Sequence, residues 1–526
     1  MSLPRYARLL LALTSGVLLA FSFPNYNLPL FAWGAVGMLV FASFEERPAI
    51  SLLYGFLHGV TFYLLSVPWI DTVMHQYGNV DPLTAAGILG LLSVAFAMFP
   101  AVFAWGIALV SRKMPPGKNR LFACALSPFL WVALEYARTY LILGGFPWNL
   151  TGYAATPSLG LLQLAALTGI YGLSFLVAAY SSLVVYAILA GRQVVWKATL
   201  ATTGMLILVG VGGKYFVPVA TPHHVANLVQ TDFPQSEEYP ANWTQIHTNE
   251  LTQLERISVS AAQESGERPS LVVWPEVPAP FSFQDPMFTQ LAQRIARESG
   301  GDFLVGIVDW RKDTAGKWQA LNTAVLLNSS GQRTFTYDKV HLVPFGEFVP
   351  YRRWLTFAGK LTADIGDFTP GSSFSVGQLP DGKFGVFICY EAIFPAEVRE
   401  FTLHGAQVLI NISNDGWFGR SSAPAQHLMM ARVRAVENRR WLLRDTNNGF
   451  TASVDPYGRI VSEIPTDVRT ELSAPYDFRQ GLTPYVRFGD WFAWLCILAS
   501  FAFIILAFVQ RPPQAAGKRK GNKRNG

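Results

Sequence analysis

The feature that most constrains this chain is the uneven placement of its apolar residues. Windows of about 20 residues, long enough to cross a bilayer as helices, fall at 8–23, 28–44, 51–70, 84–110, 121–138, 158–189 and 194–216, and once more at 490–509. Between the seventh and the eighth lies an ordinary mixture of residues, 217–489, that no bilayer would accept. Composition agrees with this division: 51% of the 526 residues are apolar and 14% are charged, against roughly 25% charged in an average soluble chain. Disordered, collagen-like, disulfide-scaffold and wholly soluble classes are thereby excluded. Arg5 and Arg8 before the first window imitate a secretory signal, but Phe23-Pro24-Asn25 is a poor small-residue cleavage site, so this window is expected to remain as a helix.

Cations set the orientation, because lysine and arginine are retained on the cytoplasmic side. Arg5, Arg8, Arg47, Arg112, Lys113, Lys118, Arg120, Arg192 and Lys197 all fall on one side together with the C-terminal tail, whereas the loops 24–27, 71–83 and 139–157 carry no Lys or Arg. The expected organisation is a membrane domain, 1–216, with seven transmembrane helices; an extracytoplasmic domain, 217–489; an eighth transmembrane helix, 490–510; and a basic cytoplasmic tail, 511–526. Both termini are then cytoplasmic and the insert lies outside the cytoplasm. The net charge of +6 resides in that tail, where Arg511, Lys518, Arg519, Lys520, Lys523 and Arg524 have no acid among them. It is not a nucleic-acid-binding surface. Trp69, Tyr77, Trp148 and Tyr153 in the cation-free loops are expected as rings at the membrane interface.

Inside the insert the pattern changes to short apolar runs. Residues 225–230, 271–274, 303–308, 324–328, 384–389, 408–412 and 441–445 read as buried strands, with helical patterns at 286–299 and 423–438. Strands alternating with helices predict a layered α/β domain large enough to bury its own core.

Of three cysteines, Cys124 and Cys496 lie in apolar windows, and Cys389 alone belongs to the insert. A lone thiol where disulfides are favoured is either buried and inert or reactive. No metal is expected, since CxxC and HExxH are missing and the eight histidines are scattered. Walker A and G-x-S-x-G motifs are also missing, and no cofactor is expected. Cys389 ends an apolar strand ahead of a helix-compatible Pro395-Ala-Glu-Val, a corner where a thiol is exposed and the positive end of a helix favours the thiolate. Glu276 ends Val272-Val-Trp-Pro-Glu276, and Lys339 lies in Tyr337-Asp-Lys-Val-His-Leu-Val-Pro-Phe-Gly-Glu347. Each alone has an ordinary reading as a core thiol, a turn carboxylate or a surface lysine. A carboxylate, an ammonium and a thiol each beside a buried strand are together what covalent acyl transfer requires.

These three segments, followed by Asn411-Ile-Ser-Asn-Asp-Gly-Trp-Phe-Gly419, resemble the nitrilase (carbon–nitrogen hydrolase) superfamily. Their setting between seven apolar windows and an eighth is similar to its membrane-embedded members, the apolipoprotein N-acyltransferases. The resemblance implies an αββα sandwich with Glu276, Lys339 and Cys389 as catalytic triad. Glu276 would take the thiol proton, Lys339 and a backbone N–H after Cys389 would stabilise the oxyanion, and the acyl group would rest on Cys389 as a thioester. The implied partners are a phospholipid acyl donor and a diacylated apolipoprotein acceptor. A membrane-tethered amidase of the nitrilase type, with water resolving the thioester, and a non-catalytic lipoprotein receptor are the alternatives.

The same resemblance carries supporting positions. Glu347 matches a second glutamate able to orient Lys339, with a surface ion pair as its other reading. Tyr390 and Glu391 match positions beside the nucleophile, although a carboxylate near a thiolate raises its pKa unless a cation intervenes. Trp243 matches an aromatic lining the acyl pocket or packing at an interface. The basic and aromatic stretch 349–360 reads as a lid touching lipid headgroups or as an ordinary surface helix. Asp71, Glu135 and Arg138, near Trp148 at the outer ends of predicted spans, mark a place for a headgroup or the lipoprotein peptide, or snorkel at helix ends.

Overall fold

The computed structural model describes residues 3–510 except 25, 79, 143, 236–239, 241, 265–269 and 349–367, and the side chains of 261–264 are likewise not described. The lid stretch 349–360 and the basic tail lie outside the described residues.

Among the described residues, six helices are long and apolar enough to cross a membrane: Pro48–Ser66, Pro82–Lys113, Asn119–Tyr140, Ile170–Ala190, Gln193–Phe216 and Trp491–Val509. Arg5–Phe21 and Ala32–Ser43 occupy the first two predicted windows but are shorter. Two predicted boundaries are corrected. The third window stops at Ser66 because Pro68 follows; proline has no N–H to continue the ladder and pushes Val67 out of the helical region, to φ −129°. A separate short helix, Trp69–Gln76, then begins. The window 158–189 resolves into two single turns, Leu159–Leu162 and Ala165–Thr168, ahead of the long helix that starts at Ile170. Gly169, at φ +66°, makes that break.

The tightest helix pair in the bundle joins Pro48–Ser66 to Pro82–Lys113. Gly55 and Gly59, four apart on one face, lie so close to the facing backbone that a Cβ on Gly59 would sit 2.6 Å from Ala97 Cα. Small residues at this spacing allow helix backbones to approach where lipid offers no hydrophobic drive.

The insert forms two six-stranded sheets. One has the order β12-β1-β2-β3-β4-β5, with β1 His224–Gln230, β2 Leu271–Val273, β3 Asp302–Lys312, β4 Trp318–Leu327, β5 Arg333–Asp338 and β12 Thr470–Tyr476. The other has the order β11-β10-β9-β8-β7-β6, with β6 Val376–Leu379, β7 Gly382–Ile388, β8 Val408–Ser413, β9 Trp441–Thr446, β10 Thr451–Val454 and β11 Ile460–Ile464. Leu228, Val273 and Leu304 from the first sheet share a core with Phe384, Val386 and Ile410 from the second. Alternate residues of the first sheet, Val229, Val272 and Phe303, join instead a cluster with Phe288 and Ile295 of the helix Pro286–Ser299. On the second sheet, Phe387 faces Phe401 of the helix Pro395–Leu403. The two-residue period of each strand thus serves two interfaces, and the layers run α, β, β, α.

All seven predicted strands are present. The five unpredicted ones are β5, β6, β10, β11 and β12. Four of these are sheet edges, exposed on one side and therefore lacking an unbroken apolar run.

Candidate active site

In both sheets the central strands β1, β2, β3 and β7, β8, β9 run parallel, and the chemistry-bearing residues follow strand C-termini. Glu276 comes after β2, Lys339 after β5, Cys389 after β7 and Asn414 after β8. Backbone groups left unpaired beyond the last ladder bond are available there to hold side chains.

Glu276 and Lys339 meet directly. Lys339 Nζ donates to Glu276 Oε1 and to Glu347 Oε1, 3.0 Å in each case. Asn322 Nδ2 on β4 donates to the same two oxygens at 2.7 and 2.8 Å. The second oxygen of each carboxylate is held by a backbone N–H: Asn414 for Glu276 (2.9 Å) and Val343 for Glu347 (2.8 Å). Both carboxylates are therefore fully oriented. Burial opposes the Lys339 charge, but Glu276, then Glu347 and Cys389, hold it well above the ordinary lysine range. Glu347 is a partner of Lys339 in this buried cluster, and its surface-pair reading is not followed. Asn322 was not anticipated, since an asparagine inside an apolar strand carries no motif of its own.

Cys389 departs from expectation in two ways. It is buried, 7% exposed, and its thiol lies above the ordinary range. Burial pushes it up first and the Glu276 carboxylate next, while Lys339 and a hydrogen bond with Ser413 pull the other way without prevailing. No long helix supplies a positive end here, because the residues Cys389–Ile393 form a 3₁₀ turn and the helix begins only at Pro395. The resting group is a thiol with a carboxylate close by.

Glu391 is fully buried, and its carboxylate accepts from four donors: Ile388 N (2.7 Å), Val340 N (2.7 Å), His341 N (3.2 Å) and Tyr337 Oη (2.8 Å). One carboxylate thereby ties the strand end before Cys389 to the segment that carries Lys339. Tyr390 Oη donates to the carbonyl of Gly145 in a membrane-side loop (3.2 Å). Trp243 packs among Phe233, Phe281 and His247 in the outer core of the first sheet.

Three of the four rings expected at the membrane interface are instead buried, and the fourth is half-buried. Trp69, Trp148 and Tyr153 are buried beneath the α/β domain, and Tyr77 is half-buried against Trp417. The residue that gathers them, Gln426 on the helix Ala423–Asn438, was missed. Its Oε1 accepts from Trp148 Nε1 (2.6 Å) and Trp69 Nε1 (3.2 Å), and its Nε2 donates to the carbonyls of Pro24 (2.6 Å) and Ser66 (2.9 Å). No sequence pattern marks such a glutamine, whose four partners lie some 280 to 400 residues away.

Glu135 and Arg138 line one cavity in the bundle with His58, Tyr63, Asn149 and Thr151. Glu135 Oε1 accepts from Thr151 N (2.7 Å) and Trp131 Nε1 (3.2 Å), and Arg138 donates to the carbonyl of Trp148 (3.0 Å). Both are buried, so helix-end snorkelling is set aside for them. Asp71, half-buried on the short helix Trp69–Gln76, does not line that cavity.

Residues 235–478 match the Carbon-nitrogen hydrolase family, the class to which the sandwich and its strand-end site belong, here joined to membrane helices. Residues 15–183 match the Apolipoprotein N-acyltransferase N-terminal domain family. Proteins named apolipoprotein N-acyltransferase from Geobacter metallireducens and Methylococcus capsulatus are 36% and 32% identical to the chain. The first match covers 95% of each sequence, and the second 92% of this chain and 93% of its relative. One from Azotobacter vinelandii is 33% identical over 95% of this chain and 94% of its own. The chain belongs to the apolipoprotein N-acyltransferase family and is an acyltransferase.

Proposed function

We propose that this enzyme moves a fatty acyl chain from a phospholipid to the N-terminal amino group of a diacylated apolipoprotein, through a thioester on Cys389. The observation that carries the reading is the buried Glu276–Lys339–Glu347 cluster beside a thiol held protonated at rest.

Each feature of the cluster has a use in that reaction. Glu276, fixed by Asn322, Lys339 and Asn414, accepts the thiol proton as sulfur attacks the ester carbonyl. Lys339 and the Tyr390 N–H stabilise the tetrahedral oxyanion, a contribution of about 3 kcal/mol per donor. Glu276 then returns the proton to the departing lysophospholipid oxygen. The acceptor's α-amino group, with an ordinary pKa of about 8, attacks the thioester as the free amine; Glu276 takes the proton that nitrogen sheds and passes it to the departing Cys389 sulfur, leaving the amide and the restored thiol. The donor leaves before the acceptor reacts, which makes the mechanism ping-pong. Amide formation from a thioester is downhill and consumes no nucleotide.

The division 1–216, 217–489, 490–510 and 511–526 is retained, with eight helices crossing the inner membrane. The alternation of Arg and Lys supports cytoplasmic termini and a periplasmic catalytic domain. Glu135 and Arg138, buried beneath the α/β domain, support a polar substrate group near the outer bilayer surface.

The test is to incubate purified enzyme with phospholipid alone and weigh the peptide containing Cys389. A hydroxylamine-labile fatty acyl adduct is expected, and it should transfer to an added diacylated lipopeptide as an amide. Discharge by water at the same rate without lipopeptide would identify an amidase. Failure to form any adduct would leave a receptor.

A further inference from the structure

Beneath Cys389 lies a second buried polar cluster that the acyl-transfer steps do not use. His427, Asp415 and Arg444 are all fully buried. His427 Nε2 is 3.1 Å from the carbonyl oxygen of Cys389. Its Nδ1 is 3.1 Å from both Arg444 Nη2 and Asp415 Oδ1. Arg444 Nη2 also donates to Asp415 Oδ2 (2.7 Å), and the Ser413 hydroxyl donates to Asp415 Oδ1 (2.8 Å). Arg444 reaches Asn411 as well, and Asn411 Nδ2 donates to the carbonyl of Phe387. The cluster thus joins β7, β8, β9 and the helix Ala423–Asn438.

We infer that His427, held by Arg444 and Asp415, is a positioning residue that aims the Cys389–Tyr390 peptide so that its N–H points at the oxyanion. In a trans peptide the C=O and N–H point in opposite directions. Pinning the Cys389 carbonyl on the His427 side therefore sends the Tyr390 N–H the other way. As the second residue of the 3₁₀ turn Cys389–Ile393, Tyr390 has no carbonyl three residues back within that turn to receive its N–H. Cys389 needs such a hold because it sits at φ +50°, in the left-handed region that a non-glycine residue adopts at some cost. The proton on Nε2 follows from its neighbour: the Cys389 carbonyl can only accept, so Nε2 donates to it, while Nδ1 lies between a guanidinium that only donates and a carboxylate that only accepts. Burial and then Arg444 lower the His427 pKa, which keeps the ring neutral. Burial opposes the Asp415 charge, but Arg444 foremost holds its carboxyl below the ordinary range. The same charge balance holds Ser413 toward Asp415, beside the thiol.

This inference rests on Cys389 being the nucleophile, and one set of measurements separates the two ideas. Acylation of Cys389 by phospholipid needs the oxyanion donors, whereas alkylation of the same thiol by iodoacetamide forms no oxyanion. In His427→Ala the acylation rate is expected to fall by about 10-fold or more, with alkylation within about two-fold of the parent enzyme. His427→Gln, which keeps an N–H donor, should recover part of the loss. Equal losses in both reactions would assign His427 a merely structural role, and an unchanged acylation rate would refute the inference outright. Should both variants fail to fold, nitrogen NMR of the native enzyme decides. A proton on Nε2 at neutral pH supports it, and a ring whose Nε2 is unprotonated overturns it. Absence of any acyl adduct in the native enzyme would instead defeat the Cys389 thioester itself.

Discussion

Replacing Gln426 with leucine should loosen the α/β domain from the membrane bundle while leaving each folded. Leucine fills a similar volume but strands two indole N–H groups, Trp69 and Trp148, and two carbonyls, Pro24 and Ser66, that now share one amide. A buried polar group without a partner costs about 1–3 kcal/mol. Four would reach roughly 4–12 kcal/mol if they were independent. They are neighbours around one side chain, and Pro24 is only half-buried, so the lower end, about 4 kcal/mol, is the working figure. That is close to a 10³-fold rise in the opening equilibrium, at about 1.4 kcal/mol per tenfold. Hydrogen exchange followed by mass spectrometry on the reconstituted enzyme is the assay. Peptides spanning 66–70 and 148–150 should lose protection by about that factor, while the sandwich strands β7, β8 and β9 keep theirs. The rate of Cys389 acylation should fall with it, since Trp148 also packs on His427 at 5.8 Å. Exchange in those loops within about three-fold of the parent would show that Gln426 does not carry the docking.

Other outcomes follow from the same geometry. In Glu276→Gln the carboxylate that raises the Cys389 thiol is removed while Lys339 remains. The pH midpoint of iodoacetamide labelling should therefore move down by about one to two pH units even as acyl transfer is lost; a midpoint that rises would contradict the assigned proximity. Lys339→Met leaves Glu276 and Glu347 sharing a buried space without their cation. Turnover should fall at least about 10²-fold, and thermal unfolding in detergent should report a loss of about 3–5 kcal/mol. Glu391→Ala removes the acceptor for Ile388, Val340, His341 and Tyr337, and should slow acylation far more than it weakens phospholipid binding, as single-turnover kinetics would resolve. Gly59→Leu forces side-chain bulk into the Ala97 backbone and should yield a misassembled bundle that fails to hold a folded thermal transition in detergent.

What was legible in the sequence came from forces that act locally along the chain. Twenty apolar residues in a row must find lipid or protein wherever they lie, so the six long apolar helices stood out, and strands buried on both faces betray themselves by unbroken apolar runs. Glu276, Lys339 and Cys389 were visible because each stands beside such a run within a recognisable motif. The ends of helices were less legible: at Ser66 and Ile170 backbone geometry, through Pro68 and Gly169, overrode hydropathy. Edge strands such as β6 and β11 were silent, because half of each faces water and their pairing partner alone makes them strands. The tertiary structure alone decided that Trp69 and Trp148 meet Gln426 under the α/β domain, that Glu391 gathers backbone N–H groups, and that Asn322 and His427 stand where they do. A hydrogen bond between residues hundreds of positions apart leaves no periodicity in either segment. The charge state of a buried thiol is likewise the sum of neighbours that only folding brings together.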